Sequence, residues 1–248
     1  MAEKAFYTTL KNRGLVTVSG PDARKFLQDI VTNDINLLDA QPSVYACLLS
    51  PQGKFLHDFF ITEKDGALLL ECEGGIRAQD LSSRLSKYKL RANVKIECVE
   101  NISVYSIPSS SGLTGGSIYP DPRNAELGFR AFEKPALPEQ PFEIWDALRI
   151  SLTIPDGSRD LVIDKSALDE GRIDKLNGVS YDKGCYVGQE LTARMHHRGL
   201  GKKHLYIVSG ELLREPGEEI RVNDALLGEM RSRCGDIGLA LLKDEVAG

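Results

Sequence analysis

Three apolar runs early in the chain, Val44–Leu49, Phe55–Ile61 and Ala67–Cys72, lie so close together that they can only fold back on one another. Pro51-Gln52-Gly53 separates the first two and Asp65-Gly66 precedes the third. Both are turn chemistry, because proline presets a negative φ while glycine and aspartate tolerate a positive one. Connections this short enforce antiparallel pairing, since a parallel crossover consumes roughly a dozen residues or more. Upstream, Leu15-Val16-Thr17-Val18 alternates like a half-buried strand, and Ser19-Gly20-Pro21-Asp22 opens a helix with Phe26, Leu27, Ile30 and Val31 as its buried stripe. Asn33-Asp34 stops that helix, because both side chains compete for backbone hydrogen bonds. Downstream, Ile76, Leu81 and Leu85 carry a second helix to Tyr88, and Val94–Val99 and Ile102–Ile107 read as strands. The order β-α-β-β-β-α-β predicts an α+β, antiparallel-rich layer and not a doubly wound parallel sheet.

The rest of the chain is more broken. Pro108–Gly116 and Glu133–Pro141 are loops by composition, with a strand expected over Gly128–Phe132 and a helix over Phe142–Ile150 that places Ile144, Trp145 and Leu148 on one side. Ser151–Asp182 has no regular period. After Gly201, four short strand-like pieces (Leu205–Val208, Glu219–Val222, Leu226–Met230 and Ile237–Leu242) alternate with turns at Gly210, Pro216-Gly217, Asn223-Asp224 and Gly235. This texture predicts a small all-β barrel or sandwich. Three regions follow: residues 1–100, 101–199 and 200–248.

A net charge of −5 argues against a general nucleic-acid binder, which needs a basic face. No apolar run approaches the roughly 20 residues that span a bilayer, so no membrane partner is expected. The start, MAEKAFYTTLKNRG, is not a secretory signal. Five scattered cysteines without a CxxC pair fit neither a closed disulfide framework nor a self-contained zinc site. They suggest a reducing compartment, and hence a cytoplasmic location.

The chemistry concentrates in Lys183-Gly184-Cys185-Tyr186-Val187-Gly188-Gln189-Glu190. Gly184 and Gly188 bracket the cysteine with permissive backbone, and Gln189–His196 can form a short helix in which Glu190 and Arg194 pair. The amides opening that helix, with Lys183 nearby, favour the Cys185 thiolate, which is both a nucleophile and a soft metal ligand. The plainer reading is a filler cysteine in an ordinary turn. Cys47, Cys72 and Cys98 sit in apolar runs as fillers, and Cys234 is a turn cysteine. Arg194, His196, His197, Arg198, Lys202, Lys203 and His204 form a basic stretch suited to an anionic partner, or simply to solvent between two domains. Cys185 with His196 or His197 offers too few ligands for a metal without a second chain or exogenous thiols. In the strand Lys54–Asp58, alternation puts Leu56 and Asp58 on one face and Phe55, His57 and Phe59 on the other. Asp58 either bonds the N–H groups of a heterocycle or faces solvent.

KGCYVGQE followed by TARMHHRG closely resembles the signature of the YgfZ family of folate-binding iron–sulfur proteins, relatives of the aminomethyltransferase (T-protein) of the glycine cleavage system. FLQDIVTNDI, YACLLSPQGKFLHDFFI and GEMRSRCGDIGLALLKDE extend the resemblance over most of the chain. It implies T-protein-like folate-binding domains, a small C-terminal β-barrel module and a central channel accepting tetrahydrofolate. The role it implies is that of an accessory factor for assembly or repair of iron–sulfur clusters in client enzymes. It implies Cys185 and Lys183 as the working residues, with Asn33, Asp34, Asp58, Tyr186, Gln189, Glu190 and Arg194 around the folate. No resident metal site is implied, only a transient iron–sulfur species, with iron–sulfur client or assembly proteins as partners. The T-protein carries a catalytic carboxylate in a Gly-Gly-x-x-Asp-Asp turn, where this chain reads Gly53–Asp58. Two readings therefore stand beside each other, the accessory factor and a folate-dependent aminomethyltransferase, and a pure interaction module is the third.

Overall fold

The hairpins form where the turns demand them. Asp65 and Gly66 take φ of 52° and 76°, and Asn223 and Asp224 take 48° and 64°. Two successive positive values mark the tight turn whose twist matches the flanking strands. The computed structural model describes residues 5–108, 118–199 and 201–246. Most of the expected loop over Pro108–Gly116 and residue 200 of the expected domain junction lie outside them.

The strands are β1 (Tyr7–Thr9), β2 (Arg13–Ser19), β3 (Val44–Leu49), β4 (Phe55–Lys64), β5 (Ala67–Glu73), β6 (Lys95–Val99), β7 (Tyr105–Ile107), β8 (Ile118–Pro120), β9 (Phe129–Ala131), β10 (Glu139–Gln140), β11 (Lys203–Ser209), β12 (Glu219–Val222), β13 (Ala225–Cys234) and β14 (Ile237–Lys243). The helices are α1 (Ala23–Gln28), α2 (Ile76–Tyr88), α3 (Phe142–Ser151) and α4 (Gln189–Arg198). No helix among the described residues is long and apolar enough to cross a membrane.

The strands make three sheets. The first, β3-β4-β5-β2-β6, is antiparallel throughout. The second, β10-β1-β7-β9-β8, recruits the N-terminal strand β1, which pairs antiparallel with β7 and parallel with β10. The third, β11-β14-β13-β12, is antiparallel, and the final strand β14 is full length and central in it. The fold is thus α+β and antiparallel-rich, as the hairpin spacing requires.

One face of the first sheet is covered by α1 and α2, where Phe26, Leu27, Leu81 and Leu85 pack on Val16, Val18, Leu68 and Leu70. The other face, with Tyr45, Cys47, Leu49, Phe55 and Phe60, packs on Tyr119, Leu161, Leu168, Ile173 and Tyr186. A bulge sits between β3 and β4: Leu48 pairs with His57, but Leu49 pairs with Phe55. Leu56 is the extra residue, and it joins the helix-side core. The expected sharing of a face by Leu56 and Asp58 is corrected for that reason. Asp58 is also no solvent-facing residue, being 2% exposed.

Two helix faces differ from the apolar pattern. Ile76 is 79% exposed, because α2 buries Ala78, Leu81 and Leu85 instead. In α3 the buried residues are Trp145, Asp146, Arg149 and Ile150, while Ile144 is exposed. Polar side chains take the inner face there because they are fully paired. Arg149 donates to Asp146 at 2.6 Å, to Asp160 at 2.6 Å and to Ser232 on β13 at 2.8 Å.

A second buried network joins the first two sheets. Glu71 on β5 accepts from Arg13 Nε at 2.9 Å and Arg130 Nε at 2.8 Å, and also from the Tyr119 hydroxyl. Arg130 reaches Asp121 at 3.1 Å, and Arg123 binds Asp121 with two nitrogens at 3.0 and 2.8 Å. The Arg130, Arg123 and Arg13 guanidiniums stand 4.2, 4.7 and 5.5 Å from the centre of the Phe60 ring. Burial alone would raise the Glu71 pKa, but the two arginines hold it below its ordinary value.

Glu71→Ala leaves Arg13 with only Asp156 at 3.8 Å and Arg130 with only Asp121 at 3.1 Å as carboxylate partners, and is expected to cost about 3–5 kcal/mol in urea denaturation. Arg24→Ala, which removes a surface pair with Glu63 and Asp39, should cost less than about 1 kcal/mol. His57 is buried against α2 with its Nε2 2.8 Å from Asp80 Oδ2, and burial together with Arg77 and Arg84 lowers its pKa to about 4. As the pH falls from about 6.5 to about 4, the unfolded chain takes up a proton that folded His57 refuses, so stability drops. His57→Gln should therefore flatten the fall of Tm with acid across that window.

Candidate functional site

Lys183 and Tyr186 are buried, while Gly184 and Cys185 between them are exposed. The Lys183 ammonium donates to the carbonyls of Gln28 at 2.7 Å, Val31 at 2.7 Å and Asn33 at 2.8 Å, at the end of α1 and just beyond it. An ammonium has three N–H donors, and all three are used. Lys183 Nζ also lies 5.2 Å from the centre of the Tyr186 ring. The two residues meet beneath the loop, so Gly184-Cys185 forms a tip held at both ends. Burial lowers the Lys183 pKa to about 8, against the opposing pull of Asp34 and Asp29.

The second glycine is fixed by packing. Gly188 has φ of +81°, and a Cβ there would lie 2.5 Å from the Ser50 carbonyl oxygen and 2.8 Å from Leu49 Cβ. Its counterpart, Gly53 in the β3–β4 turn, has φ of +75° and would meet the Gly188 oxygen at 2.8 Å. The hairpin turn and the cysteine loop thus interlock through two glycines. Gly184 differs, since its backbone is not left-handed and a Cβ would meet nothing within 4 Å.

Beside this loop opens a cleft of about 470 Å³, lined among others by Asn33, Tyr45, Asn177, Ser180, Tyr181 and Asp182. Tyr45 connects it to the interior, its hydroxyl donating to Asp58 Oδ2 at 3.0 Å. Asp58 Oδ1 has no hydrogen-bond partner. Burial raises the Asp58 pKa, partly countered by Arg13 and Arg123. On the other side of the cleft, Tyr181 stacks on His196 of α4 with ring centres 3.8 Å apart. Among the described residues, no group of three or more His, Cys, Asp and Glu could hold a metal ion.

No family model matches the chain. It is 34% identical over 276 residues to the mitochondrial iron–sulfur cluster assembly factor IBA57 of Mus musculus, covering 95% of this chain and 77% of that protein. The Homo sapiens protein of the same name is 33% identical over 278 residues, with the same coverage. The chain belongs to the IBA57 family of iron–sulfur cluster assembly factors. Its structure is similar to glycine cleavage system aminomethyltransferase T from Bartonella henselae, with a TM-score of 0.75 at 17% identity over 97% of this chain and 78% of that one. The architecture is that of the T-protein. The IBA57 proteins of mouse and human are named as mitochondrial, which overturns the expected cytoplasmic location. Unpaired cysteines point to a reducing environment without singling out the cytoplasm.

Within this IBA57-family fold the expected site residues scatter. Lys183, Tyr186 and Asn33 meet around the cysteine loop, but Lys183 has no donor left for a thiolate, which corrects its expected part in activating Cys185. Asn33 Nδ2 bridges the carbonyls of Tyr45 at 2.8 Å and Asn177 at 2.7 Å, so it shapes the cleft wall. Asp34 caps the next turn through the Asn36 amide at 2.9 Å. Asp58 lies behind Tyr45. Gln189, Glu190 and Arg194 are on α4, where the expected Glu190–Arg194 pair does not form and both ends are exposed. Tyr45 and Tyr181 escaped the sequence reading, and Gly53 was read as a turn residue without its contact to the cysteine loop. Tyr45 stands next to Ala46 in an apolar run, and only the position of Asp58 across the hairpin gives its hydroxyl a purpose.

Three substitutions separate these roles by thermal denaturation. Lys183→Met leaves three carbonyls without their donor and should cost about 2 kcal/mol or more. Gly188→Ala should cost about 1–3 kcal/mol through the left-handed backbone and the contact with Ser50. Gly184→Ala should stay within about 0.5 kcal/mol of the parent.

Proposed function

We propose that this chain is an iron–sulfur cluster assembly factor in which Cys185 is the working thiol and tetrahydrofolate occupies the neighbouring cleft. The observation that carries the reading is the loop tip itself: an exposed cysteine between two buried anchors, the only exposed one among the five described cysteines. A thiolate so placed can be approached by a second protein, and it can ligate iron or attack a sulfur species. One cysteine cannot complete a cluster site, so the remaining ligands come from the partner, and the cluster is cargo. The match of KGCYVGQE to the YgfZ signature supports the same assignment.

The cleft residues fit a folate. The partly exposed Tyr181 offers an aromatic ring, and Asn177 and Ser180 offer polar groups. Behind the cleft wall, Asp58 holds Tyr45 through Oδ2 and keeps its buried Oδ1 unpaired. The basic side chains of α4, Arg194 and Arg198, suit an anionic tail. Bound tetrahydrofolate supplies a reduced heterocycle that can carry a one-carbon unit. Asp58 also supports a second reading, aminomethyl transfer on a T-protein-like fold, since a buried carboxyl with a raised pKa is suited to proton transfer.

Complementation of a strain lacking its own family member separates these readings. Cys185→Ala is expected to bind tetrahydrofolate with parental affinity yet fail to restore a cluster-dependent enzyme under oxidative stress. Full restoration by Cys185→Ala would sink the proposal. Tetrahydrofolate-dependent aminomethyl transfer by the purified parent, lost in Asp58→Asn, would establish the second reading instead.

A further inference from the structure

We infer that the groove between α1 and the α2–β6 turn, beside the cysteine loop, is the docking site for an acidic, aliphatic segment of a partner protein. The inference rests on the reading of Cys185 as the working thiol and names the surface that would bring the partner to it. The groove measures about 430 Å³, and its lining includes Phe26 and Ile30 from the α1 region, Tyr88 and Leu90 from the turn, and Val187 from the loop. Val187 is two residues from Cys185, so an occupant of the groove lies against the loop that presents the thiol.

Two features mark the groove as a contact surface. Leu90 is 89% exposed and adopts φ of +43°, a combination that neither core packing nor backbone preference favours. Around it, Lys87, Lys89 and Arg91 are exposed, and among the described residues none of their side chains makes a hydrogen bond or ion pair. The acids facing the groove are already engaged. Asp29 is paired with Lys25 at 2.9 Å, and Asp22 accepts from the Asn93 amide at 2.7 Å. From Leu81 to Ile96 the sequence contains no acid, in a chain of net charge −5. An exposed leucine ringed by uncompensated cations complements carboxylates flanking an aliphatic patch, and rejects a basic surface.

The test uses the full chain and two fluorescent peptides, one of leucine and glutamate and one of leucine and lysine, read by anisotropy. The acidic peptide is expected to bind, to weaken with salt, and to lose at least tenfold in affinity in Leu90→Asp and in K87E/K89E/R91E. The basic peptide should not bind. In the complementation strain, both variants should fail although the alkylation rate of Cys185 and the Tm match the parent. Equal binding of the two peptides, parental binding by the variants, or full complementation by both variants overturns the inference. So does equal binding of the parent to anionic phospholipid vesicles, which would make the patch a membrane contact. Cys185→Ala distinguishes this failure from that of the reading beneath it. If it binds the acidic peptide normally and complements, the thiol reading falls while the groove remains.

Discussion

Glu71 is the residue on which the assembly of the molecule turns. It sits in the first sheet, neutralised by Arg13 from the adjacent strand and by Arg130 from the second sheet, with Tyr119 completing its hydrogen bonds. A carboxylate this deep keeps its charge only when its oxygens are well paired, so the two sheets are held in one relative placement. Arg149 repeats the device between α3 and the third sheet through Asp160 and Ser232. Apolar packing supplies the bulk of the cohesion, and the ion networks choose which faces meet.

That placement creates the site. The face of the first sheet carrying Tyr45, Phe55 and Phe60 meets the irregular segment before the cysteine loop, and Tyr186 enters the same core. Lys183 then fastens the loop to the end of α1, and Gly188 fastens it to the β3–β4 turn. Cys185 needs no packing of its own. Anchors on either side leave the thiol exposed at a defined position.

Much of the first sheet was legible in the sequence. Turn residues at Asp65-Gly66 and Gly53 set the hairpins, and Phe26, Leu27, Ile30 and Val31 are all buried, although α1 ends at Gln28 and the last two lie beyond the helix that was expected to carry them. The bulge at Leu56 was not legible, since one extra residue leaves no mark on a short apolar strand yet re-aims everything before it. The face of α3 was misread because Asp146 and Arg149 look like surface residues until the further partners of Arg149, Asp160 and the distant Ser232, are known. At the site, residue type and spacing allowed Cys185 an exposed turn, where the structure has it, and left open whether it is a working thiol or a filler. The direction of Lys183 was not, because its acceptors are backbone carbonyls more than 140 positions upstream, which carry no side-chain signature.

The sequence by itself determined the hairpins, the helices and the position of the cysteine between flexible residues, because each depends on contacts within a few residues of itself. Only the tertiary structure decided which charges are buried, that Asp58 lies behind Tyr45, and that Lys183 holds the loop instead of the thiol. Those outcomes depend on which distant groups neutralise one another in a low-dielectric interior, and local sequence carries no record of that pairing.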